Sequence, residues 1–574
     1  MKKLLLLLIS LLTLAAHAQK NAPKWIDKQR KAIIEVNVYD KSGNLLRSGT
    51  AVYVSDNGDA IASYTLFRGA ATATVKESDG KSYPVARLIG ADEMYDLMKF
   101  RVQVPKRSPF VALAANPPVE GDAAYRVAFS QGKNALFAAG SVTEVSPMKE
   151  HYGYYKIDIP LDAAQSDAPL FTEQGELFGL TQEDATGETE FIYAISAAYA
   201  NTLLLSAMDF MSATYTSIDI PKVWPEEESQ AQVALMLLNG SEDAKRHLQT
   251  LNDFVESFPN LPDSYQSRAS HYAYYRNVLA STPADRANCL KEALNDIDRA
   301  MQIADKKGDV YFFKSKLIYD TVLNDSTLTD ENWSVESAKA AIQQALDSED
   351  NPLYHQHLAD IEFGMNNFAE AFDQYMQVNK SSFATSATYY MAAKAKENTP
   401  GVNLFEVLTL LDSAVVKSTG AATSERAAYL LERVEYKNRL MLYDEAIADY
   451  DQYYDLMDGR VNDMFYYLRE QAKFRKGDMD AALSDIREAI RLNPSNAVYL
   501  AEEAAVLMRQ EKYTDALTSL KRAIELAPEF EAGYRLAGLC HVRQGNKAEG
   551  CEMFRKAKEL GDPVVDRLIK EHCE

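Results

Sequence analysis

The chain has 574 residues, 47 % hydrophobic and 25 % charged, ordinary values for a soluble globular protein and too long for a single domain of roughly 100–200 residues. Its 83 acidic and 61 basic residues leave a formal charge of −22. Such a field disfavours nucleic acid and anionic lipid as non-specific partners and leaves proteins open.

Residues 1–18 read as a signal peptide. Lys2 and Lys3 precede an apolar run from Leu4 to Ala16, and Ala16-His17-Ala18 supplies an A-x-A cleavage site. That run is too short to span a bilayer, and no later stretch is long enough. The mature chain is expected to begin at Gln19, periplasmic or secreted, with no transmembrane span left.

Residues 25–212 have the texture of one β domain. Ile33–Tyr39 alternates, and Asn57-Gly58 and Asp79-Gly80 are hairpin signals. Further strand-like runs are Thr50–Val54, Ala124–Ala128, Ala139–Val145, Tyr154–Ile159, Leu177–Thr181 and Phe191–Ile195. Many short strands with frequent turns predict a closed or sandwiched architecture. Ser196–Met211 reads as a helix capped by Ser196. Residues 213–227, with Pro221 and Pro225, read as a linker.

From Glu228 onward apolar residues recur at three and four spacing in paired segments of helical length. Ala489, Ala523 and Ala557 are spaced by 34, and Gly477, Glu511 and Gly545 keep the same period at the turns. Leu500, Ala504, Tyr513, Ala516, Leu520, Ala523 and Pro528 fill one repeat, and Tyr534, Gly538, Gly550, Phe554 and Ala557 the next. The repeat from Asp463 has a weaker first helix but keeps Ala482, Ile486 and Ala489. This pattern resembles the tetratricopeptide repeat family. Repeat-like hairpins are expected over 228–564, eight or nine in number, with a capping helix at 565–574.

The resemblance implies that the array holds protein or peptide segments. Arg475, Arg509 and Arg543, also 34 apart near the end of each first helix, are candidates for gripping a partner's carboxylate or phosphate, which would make acidic segments a partner class. The plainer reading is that cations near a helix C-terminus are favoured by about 0.3–1 kcal/mol. Arg487, Lys521 and Arg555 form a second such set. The tyrosine clusters at 272–275, 389–390 and 466–467 suit either a binding surface or packing between hairpins.

All four cysteines, Cys289, Cys540, Cys551 and Cys573, lie in the helical half. Small buried thiols are the expected state, though export would permit one bridge among the last three. Neither C-x-x-C nor Cys/His spacing occurs, so no metal or other cofactor is expected.

Three segments of the β domain come in the order of a serine protease. They are Gly49–Val54 with Asn57-Gly58, then Tyr83–Ala86 with Asp92 and Asp96–Met98, then Gln165–Leu170 with Gly175–Leu180. Together they resemble the trypsin-like proteases of the HtrA/Deg type. The resemblance implies an all-β trypsin-like double barrel ahead of an all-α tetratricopeptide solenoid. It places the catalytic aspartate at Asp96 and the nucleophile at Ser166, but the histidine position falls on Thr65. A serine hydroxyl needs a neighbouring base, and threonine is none at neutral pH. Ala164, Asp167 and Ala168 replace the family's glycines around the serine, and Asp167 brings the wrong sign of charge to an oxyanion. His151 and Lys99 are the other basic groups weighed, neither in the family's position.

The expectation is therefore a non-catalytic exported adaptor with remnant positions Thr65, Asp96 and Ser166. The alternatives are a serine endopeptidase whose repeats recruit substrate, and an envelope glycan-binding protein.

Overall fold

Alternation in the first strand decides which face is core. Ile34, Val36 and Val38 of β1 (Ile33–Tyr39) are fully buried, while Glu35, Asn37 and Tyr39 between them are half-buried. The computed structural model describes residues 23–132, 135–149, 152–160, 168–182, 190–240 and 242–574. Within them β1, β2 (Leu45–Tyr53), β3 (Asp59–Ala62), β4 (Thr72–Lys76), β5 (Ser82–Asp92) and β6 (Leu97–Val102) close an antiparallel barrel in the order β1-β2-β3-β6-β5-β4. The turn into β3 needs glycine. Gly58 has φ +92°, and a Cβ there would lie 2.5 Å from the Val102 carbonyl oxygen. β4 escapes a sequence reading because Ala73 and Val75 are its whole apolar face.

A second barrel follows, in the order β10-β11-β12-β9-β8-β7. Its strands are β7 (Ala123–Ala128), β8 (Leu136–Lys149), β9 (Tyr152–Ile157), β10 (Pro169–Phe171), β11 (Leu177–Gln182) and β12 (Ile192–Ser196). Closure removes the edges that would otherwise pair with other chains.

The expected helix over Ser196–Met211 is not formed. Two 3-10 turns, Ala197–Asn201 and Ala207–Met211, stand there instead. Ser196 closes β12, pairing with Gly179, and stands at the N-cap of the first turn without a side-chain cap hydrogen bond, and residues 203–206 between the two turns are not helical.

Residues 213–227 begin with a single helical turn, Ala213–Thr216, and then run along the first barrel. Ile218 and Ile220 are 1 % exposed within its core. The Leu88 amide donates to the Pro221 carbonyl and the Val223 amide to that of Leu88, each at 2.8 Å. Trp224 stacks on Phe210 and meets Phe254 edge-on. Its indole N–H and the Arg87 guanidinium both donate to Asp253.

The rest is helical. Nineteen helices lie between Glu228 and His572 among the described residues. One compact unit of the chain runs to Asp296 and the other starts at Ile297. No helix among the described residues is long and apolar enough to cross a membrane.

In the second unit the small residues have the work the repeat pattern assigns them. Ala504 is fully buried, and a Cβ on Gly538 would lie 2.5 Å from the Phe554 ring. The equivalent place in helix Asp463–Lys476 holds Glu470, which is why that helix looks irregular in sequence. Glu470 is fully buried, and its Oε2 accepts the Gln471 amide at 2.7 Å while its Oε1 has no hydrogen-bond partner. Burial first, then the Glu502 carboxylate, pushes its carboxyl up to about 8.

Since that lies above the ordinary value, the folded array holds a proton the unfolded chain gives up, and stability falls as pH rises from about 4.5 to about 8. Glu470→Gln mimics the protonated form. It is expected to leave stability unchanged below about pH 4.5 and to raise it by up to about 3 kcal/mol at pH 7. Urea denaturation at the two pH values checks this, and a loss of stability at pH 7 would contradict it.

The last helix, Val565–His572, is tied back by a disulfide between Cys551 and Cys573, which corrects the expectation of buried thiols for this pair. Cys289 and Cys540 are buried thiols as expected.

Candidate functional site

β3 ends at Ala62, paired with Met98, and the chain turns at once into the short helix Tyr64–Phe67. Burial of Tyr64, Leu66 and Phe67 fixes that helix and leaves Thr65 as its exposed member. Phe67 packs on Phe100 with ring centroids 4.9 Å apart. The Tyr64 hydroxyl lies 3.1 Å from the Thr214 carbonyl and 3.2 Å from Ser217 Oγ, so the segment after the barrels holds the helix from behind.

Asp96 sits at the tip of the β5–β6 hairpin with φ +50°, in the left-handed region that aspartate tolerates better than most residues. The Thr65 amide donates to Asp96 Oδ1 at 2.7 Å. The structure thus brings together Thr65 and Asp96, the two positions the resemblance assigns to a triad's histidine and aspartate, through the backbone of Thr65. Ser166 lies outside the described residues, as do Ala164, Asp167 and His151. Ala168 is buried, and its carbonyl accepts both the amide and the hydroxyl of Thr181 at 3.1 Å. Lys99 is half-buried on β6, in register with Ile61 and Gly90.

A cluster that sequence reasoning missed braces the hairpin bearing Asp96. Asp92 Oδ1 accepts the Tyr95 amide at 2.8 Å, and Oδ2 accepts the Tyr199 hydroxyl at 2.7 Å and the Lys149 ammonium. Lys149 also donates to the Tyr199 hydroxyl at 2.7 Å. Burial pushes the Asp92 carboxyl upward, but the Lys149 and Tyr199 hydrogen bonds outweigh it and hold the group below the usual carboxylate range. Tyr95 and Tyr199 pack at 4.3 Å, and burial pushes the Tyr95 phenol up to about 12. The partners stand 57 and 107 residues from Asp92, so no local motif announces them.

In the array Arg475, Arg509 and Arg543 are all exposed and each lies in the last turn of a first helix. Arg509 lies over the Phe474 ring at 5.8 Å. Among the described residues no ion pair or hydrogen bond holds Arg475 or Arg543. By contrast, Arg487 of the second set pairs with Glu503 at 2.9 Å.

Residues 49–180 match the family model described as a trypsin-like peptidase domain, and residues 501–563 that of the tetratricopeptide repeat. The chain therefore carries a trypsin-like double barrel followed by a tetratricopeptide-type helical array. Among curated proteins it is 33 % identical over 89 residues to DnaJ homolog subfamily C member 7 of Mus musculus, covering 16 % of this chain and 18 % of that protein. Small glutamine-rich tetratricopeptide repeat-containing protein 2 of Saccharomyces cerevisiae is 28 % identical over 96 residues, covering 17 % and 28 %. Hsp70-Hsp90 organizing protein of Triticum aestivum is 32 % identical over 97 residues, covering 17 % and 16 %. The chain spans less than a third of the length of these relatives.

Proposed function

We propose that this chain is an exported, non-catalytic adaptor whose protease-like barrels and helical repeats both serve as protein-binding surfaces. The observation that carries the reading is Thr65. It stands where a triad needs an imidazole, and its own amide is bonded to Asp96. Without a base a serine hydroxyl is a poor nucleophile. The N-terminal sequence supports export, with a mature start at Gln19, and a Cys551–Cys573 bridge suits an oxidising compartment. The repeats match the tetratricopeptide family model, and one protein similar to this chain over part of its length is named Hsp70-Hsp90 organizing protein. A role in holding other proteins follows for this array, and its partners are its own.

Acidic segments are the partner class these exposed arginines favour. Crosslinking and mass spectrometry in the native envelope would identify the partner. Arg475→Glu with Arg509→Glu and Arg543→Glu is then expected to weaken its capture by about tenfold or more, since each reversed charge-assisted contact is worth about 1 kcal/mol or more. Undiminished capture would remove the arginine row from the account.

A further inference from the structure

Two of the chain's eight histidines meet in one buried cluster where the helices leave the first barrel. His247, on helix Ala244–Ser257, and His271, on helix Pro262–Leu279, are each 4 % exposed, with ring centroids 5.1 Å apart. His247 Nδ1 lies 3.2 Å from Glu242 Oε2, which also accepts the Thr250 hydroxyl at 2.8 Å. His271 Nε2 donates to the Ala244 carbonyl at 2.7 Å, and its ring stacks on Tyr275.

The surrounding charges are already engaged. Arg246 bridges Glu242 and Asp219, at 3.3 Å to each, and Asp219 takes Lys41 from the turn after β1 at 2.9 Å. Asp243 caps its helix through the amides of Lys245 and Arg246. Lys222 donates to the Ile218 carbonyl at 3.0 Å, and burial first, then Arg246, brings its amine down to about 8. Arg276, one turn beyond His271, donates to the Ala273 carbonyl.

A neutral His271 ring satisfies its carbonyl partner. A second proton on that ring would place an imidazolium in a buried site beside His247, whose carboxylate, Glu242, already serves Thr250 and Arg246. Burial keeps the His271 imidazole below its ordinary range, opposed by the hydrogen bond to the Ala244 carbonyl and aided by the neighbouring His247.

We propose that the His247–Glu242–His271 cluster is a proton-operated catch. At neutral pH it fastens the first repeat helices to each other and, through Arg246, Asp219 and Lys41, to the first barrel; mild acid releases it. The sign follows from linkage. A histidine held below its ordinary value contributes stability that is complete above about pH 6.5 and lost as pH falls through its folded value.

Hydrogen exchange of the full mature chain, corrected for the intrinsic effect of pH on exchange, tests it. Between about pH 7.5 and about pH 5 the peptides covering 244–279 should lose protection by about tenfold relative to the strands of the first barrel. His271→Gln keeps a donor for the Ala244 carbonyl and does not titrate. It should retain protection at neutral pH and abolish the step. Should that variant already be unprotected at neutral pH, the His271 ring signal of the wild-type chain followed by NMR carries the same test, since it should titrate at the pH of the step. A wild-type chain without the step, or a step that persists undiminished in the folded variant, overturns the proposal.

Discussion

Mature protein treated with a fluorophosphonate probe is expected to leave Ser166 unlabelled, and casein incubated with it is expected to remain uncut. The probe reads nucleophilicity directly, because it reacts only with a serine whose proton has somewhere to go. Removing the histidine from a serine-protease triad lowers turnover on the order of 10⁶-fold. Here Thr65 is an exposed hydroxyl with its amide bonded to Asp96, and no imidazole occupies that position. The adaptor reading includes a second lesion around Ser166. The resemblance puts Ala164, Asp167 and Ala168 where that type of protease has glycines, and loss of one oxyanion donor lowers turnover by about 10²–10³-fold. Thr65→His alone is therefore expected to stay unlabelled too. Labelling in that variant would show a competent loop and confine the lesion to Thr65. Labelling of the wild-type chain, abolished by Ser166→Ala, would make it a working hydrolase and end the adaptor reading.

Thr65 and Asp96 are legible in sequence only through the resemblance carried by Gly49–Val54 with Asn57-Gly58 and by Tyr83–Ala86 with Asp96–Met98, whereas β3 and the β5–β6 hairpin that hold them show no pattern of their own. The helical period is legible for a different reason. Stacking demands a small side chain at one place in every repeat, so Ala489, Ala523 and Ala557 repeat visibly, and all three are fully buried. What escapes is whatever depends on distant residues meeting. Ile218 and Ile220 look like isolated apolar residues in a proline-bearing stretch, yet they complete the first barrel's core. Asp92, Lys149 and Tyr199 come from three separate elements. The pairing of Cys551 with Cys573 rather than Cys540 is set by the return of the last helix, which spacing does not encode. Glu470 shows the reverse case, a local irregularity in the pattern that marks a real departure in the packing.

A recurring ion-pair geometry inside the repeats leads to the largest stability effect. Asp449, on helix Tyr443–Leu456, is 1 % exposed. It accepts Arg433 Nε at 2.8 Å, Arg433 Nη2 at 2.5 Å and Lys437 Nζ at 2.7 Å, both cations coming from helix Thr423–Arg439. Thirty-six residues on, Arg469 and Lys473 converge on Asp485 in the same way. Each arginine also reaches a more exposed aspartate, Asp412 for Arg433 and Asp451 for Arg469. Removing Asp449 leaves a guanidinium and an ammonium buried with their main acceptor gone, so Asp449→Ala is expected to destabilise its hairpin by about 3–5 kcal/mol. Asp412→Ala removes a carboxylate that is half in water, and an effect within about 1 kcal/mol is expected. Because repeats unfold as neighbouring units rather than as one block, the readout should be local. Hydrogen exchange of peptides within 423–456 against urea separates the two variants, and equal effects would mean that burial is not what gives this ion pair its weight.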